Sequence, residues 1–147
     1  MTYLFDTNIL LHFVRETELS KSIEIELDPF GLDNMPILSV VSVGEIKSIA
    51  LRNNWGINKL QKLNQIMSLF IITDINIDEV IEKYAEIDTF SQGKHKTIST
   101  TGSAKNMGKN DLWIAASTNV LNTTLITTDN DFTHLNGVFI KLLKIEV

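Results

Sequence analysis

The chain contains no cysteine, which excludes disulfides and thiolate metal sites and fits a reducing cytoplasm. It has only two prolines, Pro29 and Pro36, which bracket one segment. No apolar run approaches the roughly 18 residues of a membrane span, so no transmembrane helix is expected. The opening MTYLFDTNILLHFVR has no basic leader and is interrupted by Asp6, so a signal peptide is not expected either. No glycine-rich turn follows the first apolar run, which removes a dinucleotide-binding fingerprint. Positive charge is in short supply: 13 Lys and Arg against 18 Asp and Glu leave a net charge of -5. Taken alone, that balance argues against nucleic-acid binding.

What is present is ordinary globular material: 147 residues, 44% hydrophobic and 21% charged. That is enough for one domain over residues 1–147 with a single buried core. Charge distribution qualifies the net figure. No acid lies between Asp88 and Asp111, whereas Lys94, His95, Lys96, Lys105 and Lys109 all do. Lys94, Lys96, Lys105 and Lys109 are therefore candidates for local contact with phosphates, against the plainer reading of a solvated polar loop.

Apolar periodicity predicts an alternation of strands and helices. Strands are expected at Thr2–Phe5, Ile37–Val41, Phe70–Ile72, Thr124–Thr127 and Val138–Leu143. Helices are expected at Asn8–Arg15, Glu18–Leu27, from Ser42 onward, from Ile57 to Met67, Asp78–Phe90 and Lys109–Leu121, with one helical turn at Asp131–Leu135. Asp28–Pro36 reads as a loop, and the Gly, Ser, Thr and Lys-rich stretch from Ser91 to Lys109 as a long one. The alternation signals an α/β domain with a mostly parallel sheet.

In an open sheet of this kind ligands bind outside the carboxyl ends of the strands. Four acids fall near that edge: Asp6 after the first strand, Glu45 in the first turn of the helix after the second, Asp111 in the first turn of the helix leading to the fourth, and Asp129 just after it. Each has a local explanation. Ser42-Val43-Gly44-Glu45 fits a capping box, Asp111 complements a helix dipole, and Asp6, Asp129 and Asp131 suit helix caps. Jointly these explanations weaken, because four carboxylates on one rim repel unless a cation sits among them. Carboxylates without cysteine suit Mg²⁺ or Mn²⁺.

At these residues the chain resembles the PIN-domain nucleases, in particular the VapC-type toxins of bacterial toxin–antitoxin pairs. Phe5-Asp6-Thr7-Asn8-Ile9-Leu10 resembles the family's opening motif, Ser39-Val40-Val41-Ser42-Val43-Gly44-Glu45 the segment carrying its glutamate, Asn110-Asp111-Leu112-Trp113-Ile114-Ala115-Ala116 its third acidic motif, and Thr127-Thr128-Asp129-Asn130-Asp131-Phe132 its closing one. The resemblance implies a three-layer α/β/α sandwich around a parallel sheet of about five strands. It implies endonuclease activity on RNA, a cognate antitoxin partner, a homodimer, and Asp6, Glu45, Asp111 and Asp129 as the metal and catalytic residues.

In that reading Asp6, Asp111 and Asp129 hold Mg²⁺ or Mn²⁺, Glu45 binds metal or orients the attacking water, and Thr7, Asn8 and Thr127 support the carboxylates. Asp131 is a fifth candidate, with capping the better assignment. His12 and His134 read as packed or surface histidines, and Trp55 and Trp113 as core or interface residues. Two rivals stay open: a non-catalytic module of the same fold that binds RNA or protein, and a haloacid-dehalogenase-like phosphatase. The phosphatase needs a second aspartate where this chain has Asn8.

Overall fold

A computed structural model describes residues 1–100 and 102–147. Five short strands, β1 (Thr2–Phe5), β2 (Met35–Ser39), β3 (Ile71–Thr73), β4 (Thr124–Thr127) and β5 (Lys141–Lys144), form one sheet in the order β3-β2-β1-β4-β5. Every pairing is parallel. The connections carry α1 (Thr7–Arg15), α2 (Glu18–Leu27), α3 (Val40–Arg52), α4 (Ile57–Met67), α5 (Asp78–Ser91), α6 (Lys109–Val120) and a 3-10 turn at Asn130–Leu135.

The strands read as unbroken apolar runs because both faces of the sheet are covered. Successive residues alternate between faces. Tyr3 and Phe5 enter one cluster with Leu38 and Ile126, while Leu4, Ile37 and Leu125 enter the other. The first face is packed by Ile9, Phe13, Ile23, Ile46 and Leu63 of α1 to α4. The second is packed by Val80, Ile87 and Phe90 of α5 and by Leu112 and Ala115 of α6. The result is the three-layer α/β/α sandwich, with two half-cores rather than a single one.

From β1 the chain winds outward to β2 and β3 on one side, then returns to β4 and β5 on the other. The crevice where the winding reverses lies between the carboxyl ends of β1 and β4, which is where such sheets bind ligands. Register fixes what meets there. Phe5 pairs with Ile126 and the Asp6 amide donates to the Ile126 carbonyl at 3.0 Å, so Asp6 and Thr127 leave the sheet side by side.

Several boundaries differ from the sequence reading. β2 begins at Met35 and so contains Pro36. β3 reaches only to Ile37, so the N–H that proline lacks costs no ladder bond on that side. The strand ends at Ser39, whose buried Oγ accepts from the Val41 amide at 3.1 Å and caps α3. The apolar run Ile37–Val41 hid that cap. Consequently Ser42 does not open the helix, and Glu45 lies in its second turn. β3 starts one residue later than expected, because the Phe70 amide still bonds the Met67 carbonyl. β5 starts at Lys141 rather than Val138, since the amides of Val138, Phe139 and Ile140 all bond the Leu135 carbonyl and Gly137 turns the chain at φ 79°. Between Ser91 and Lys109 no helix or strand occurs among the described residues, as the composition predicts; residue 101 of that stretch lies outside them. No helix among the described residues is long and apolar enough to cross a membrane.

Phe5 is the hinge of the first half-core. It is fully buried and meets Phe13 and Phe70 edge-on at 5.9 and 5.6 Å between ring centroids. Phe5→Ala is expected to lower unfolding free energy by about 3–5 kcal/mol in urea denaturation. A loss under about 1 kcal/mol would contradict this packing.

Candidate metal centre

The site grows from Asp6, the residue at which β1 becomes α1. Its carboxylate accepts from the Thr7 amide at 2.7 Å through Oδ1, capping the helix, and from Thr127 Oγ1 at 2.7 Å through Oδ2. Asp6 is only 5% exposed. Both oxygens keep accepting capacity beyond these two bonds, since a carboxylate accepts about four. The capping reading of Asp6 therefore holds, and it leaves the carboxylate free for further bonds.

Two threonines carry the frame outward. Thr127 Oγ1, while donating to Asp6, accepts from the Asp129 amide at 3.0 Å and so sets the turn that presents Asp129. On the other flank Thr7 Oγ1 lies 2.7 Å from Glu45 Oε1 and 2.8 Å from Ser42 Oγ. A carboxylate cannot donate, so the Thr7 hydrogen goes to Glu45 and the Ser42 hydroxyl donates to Thr7. Glu45 is therefore tied to the β1 motif rather than to a capping box with Ser42.

Asp129 Oδ1 accepts from the Asp131 amide at 2.9 Å, capping the 3-10 turn. That cap folds the two side chains onto one side. One carboxylate oxygen from each of Asp111, Asp129 and Asp131 lies within 4.8 Å of the other two. Asp131 is thus part of the cluster, and the expected capping role falls to Asp129, whose side chain makes the cap. The spacing of two residues across a tight turn start was the signal for it.

The charges respond to this crowding. Burial, then Asp6, Asp129, Asp131 and Glu45 in turn, push the Asp111 carboxyl up to about 7. Burial also raises Asp6, against the bonds from Thr127 and the Thr7 amide, with Glu45 and Asp129 adding to the rise. Five carboxylates from four separate stretches of chain therefore share one electrostatic neighbourhood, with no cation side chain paired to any of them among the described residues.

The donor set is all oxygen and anionic, which suits a hard divalent cation and excludes a thiolate or imidazole site. Asp111, Asp129 and Asp131 each offer one oxygen close enough to the other two that they could hold one hard divalent cation, with Asp6 and Glu45 outside that trio.

Other candidates fall outside this group. Asn8 is exposed on the first turn of α1 and makes no side-chain hydrogen bond among the described residues. Lys109 opens α6 two residues before Asp111, and Lys105 is exposed in the preceding stretch, close enough to His134 to depress its pKa after burial has done most of that work. Lys96 lies with His95 over Ala85, Glu86 and Thr89 of α5, and Lys94 is exposed beside it. His12 pairs with Thr17 at 2.9 Å, and His134 stacks on Phe90 and bonds Ser91 Oγ at 2.8 Å, as packed histidines do.

A family model for the PIN domain matches residues 3–138. No curated protein sequence matches the chain. Among solved structures it is similar to VapBC2 of Rickettsia felis bound to a promoter DNA fragment, at 22% identity and TM-score 0.75, covering 99% of this chain and 100% of that one. It is similar to a toxin–antitoxin complex from Klebsiella pneumoniae, at 19% identity and TM-score 0.71, covering 99% of both chains. It also resembles VapBC-1 of nontypeable Haemophilus influenzae, at 17% identity and TM-score 0.72, covering 98% of both. At these identities the likeness is one of fold.

Because Asp111 has a folded-state pKa above its unfolded value of 3.8, the folded protein binds its proton more tightly than the unfolded chain does. Stability from this group is present below the unfolded value and is lost as pH rises toward about 7. In EDTA, wild-type denaturation midpoints should fall over that window, and Asp111→Asn should flatten the fall. Equal slopes in the two proteins would show that burial and the neighbouring acids do not raise the Asp111 carboxyl in the folded protein.

Proposed function

The chain belongs to the PIN domain family, and from that premise we propose that residues 1–147 act as one PIN domain, a divalent-metal-dependent endoribonuclease that is the toxin of a toxin–antitoxin pair. The observation that carries the proposal is the convergence of Asp111, Asp129 and Asp131 beside Asp6 and Glu45 at the sheet's switch point. A set of carboxylates with no side-chain cation is built for a metal that in turn meets a phosphodiester.

In the proposed site Asp6, Asp111 and Asp129, with Asp131, hold Mg²⁺ or Mn²⁺. When bound, that ion supplies charge neutralisation at the phosphoryl oxygens and a more acidic water. The chain's own residues do the positioning. Thr127 and the Thr7 amide fix the Asp6 oxygens, which makes the cradle rigid before any ligand arrives. Glu45 has one oxygen held by Thr7, and its second oxygen accepts from the attacking water and turns a lone pair toward phosphorus. Lys94, Lys96, Lys105 and Lys109 contact the RNA backbone, adding affinity without sequence choice.

Partners follow from the same reading. The similar Klebsiella pneumoniae structure is a toxin–antitoxin complex, which supports a cognate antitoxin that covers the crevice. A homodimer is supported by the apolar flank at the sheet edge, where Ile71 and Ile72 of β3 and Ile81 of α5 are exposed. A cytoplasmic setting fits a chain without cysteine whose substrate is RNA.

Single-stranded RNA should be cleaved in Mg²⁺ or Mn²⁺ and not in EDTA. Asp6→Asn should keep its circular-dichroism spectrum and lose at least the roughly 10–100-fold in rate that loss of an outer support costs. Full activity in that variant would remove the assignment; RNA binding by wild type without cleavage would favour the non-catalytic module, and phosphate release from a phosphomonoester the phosphatase. Binding should also weaken with salt, and replacing Lys94 and Lys96 by Gln should make that dependence shallower. An unchanged slope would remove the two lysines from the RNA path.

A further inference from the structure

A groove of about 510 Å³ opens directly beside the acids, between α3 and α6, with Ile75 at its end. Glu45 and Asn110 line it, so it is continuous with the crevice through residues at or next to the acidic cluster. Its contents suit one nucleotide. Trp113 lies along it, partly buried, backed by Tyr84 at 4.2 Å between ring centroids with the planes tilted 38°. The indole N–H makes no hydrogen bond among the described residues, and neither does the Asn110 side chain. Arg52 stands in the same groove, its guanidinium held by Ser48 Oγ at 2.7 Å and in no ion pair among the described residues. Gly44 leaves the α3 wall open, with nothing within 4 Å of where a Cβ would stand.

Resting on the nuclease reading, we propose that this groove binds a nucleotide flanking the scissile bond of single-stranded RNA, with its base against Trp113 and its phosphate on Arg52. An aromatic face, a free donor, an amide and a fixed guanidinium are what an unpaired nucleotide uses: stacking on the ring, edge bonds to the amide, and a paired contact to the phosphate. Duplex RNA keeps its bases stacked inside and offers none to Trp113. Charge complementarity decides against a purely apolar occupant. On a chain of net charge -5, Arg52 shares the groove with Glu45, is in no ion pair among the described residues, and offers a cation to an approaching anion.

Trp55 and Trp113 are the only tryptophans, so Trp55→Phe leaves Trp113 as the sole reporter. In that background, with Asp111→Asn to prevent cleavage, a fluorescein-labelled single-stranded octaribonucleotide is titrated while anisotropy and tryptophan emission are read together. We expect Trp113 emission to be quenched as anisotropy rises, and the duplex form of the same strand to bind without quenching. Adding Arg52→Gln should weaken binding about tenfold and reduce the log–log salt slope by about 0.7, with thermal melting confirming that the variant folds. Binding without quenching, at an affinity that Arg52→Gln leaves unchanged, overturns this groove's role; RNA cleavage by wild type in parallel then shows that the nuclease reading survives. If wild type neither binds nor cleaves the RNA, both readings are overturned.

Discussion

The mutual repulsion of carboxylates at the carboxyl edge of the sheet is the constraint around which this molecule is arranged. Two hydroxyls hold the group together. Thr127 bridges Asp6 and Asp129, and Thr7 bridges the Asp6 helix start to Glu45. These bonds do not neutralise charge; they hold Asp6, Asp129 and Glu45 within reach of one another's charge. Burial first, and then the neighbouring acids, raise the Asp111 carboxyl to about 7, so part of that rise reflects the crowding. A cation would relieve it, so the energy of crowding in the free protein becomes affinity when a metal enters.

Topology makes the arrangement possible. With β1 and β4 adjacent at the point where the winding reverses, chain segments more than a hundred residues apart leave the sheet as neighbours, as the Thr127–Asp6 bond shows. The buried faces of both strands hold that register, because a slip of one residue would exchange Leu4 with Phe5 between two half-cores of different shape. Packing remote from the chemistry thereby sets the spacing of the acids.

Much of this was legible in the residues. Apolar runs of strand length separated by helical periodicity fixed the layers and the parallel sense, and Asp6, Asp111 and Asp129 stood where strand ends or helix starts had to be. What stayed hidden was local. The Ser39 cap lay inside an apolar run, so α3 appeared to begin at Ser42 and Glu45 appeared to serve it. Asp129 and Asp131 both suited a cap in the sequence, which does not show that Asp129 alone caps the turn and leaves the Asp131 carboxylate to the cluster. Pro36 argued against a strand, although a short neighbouring β3 removes its cost. Tertiary hydrogen bonds that join Thr7 to Glu45 across 38 residues have no sequence signature at all.

The most direct test of the central claim is the anomalous scattering of crystals grown in Mn²⁺. The account predicts one or more strong peaks bounded by carboxylate oxygens of Asp111, Asp129 and Asp131, within water-mediated reach of Asp6. A protein saturated with Mn²⁺ that shows no peak there, or a peak elsewhere on the surface with the acids spread apart, would contradict it.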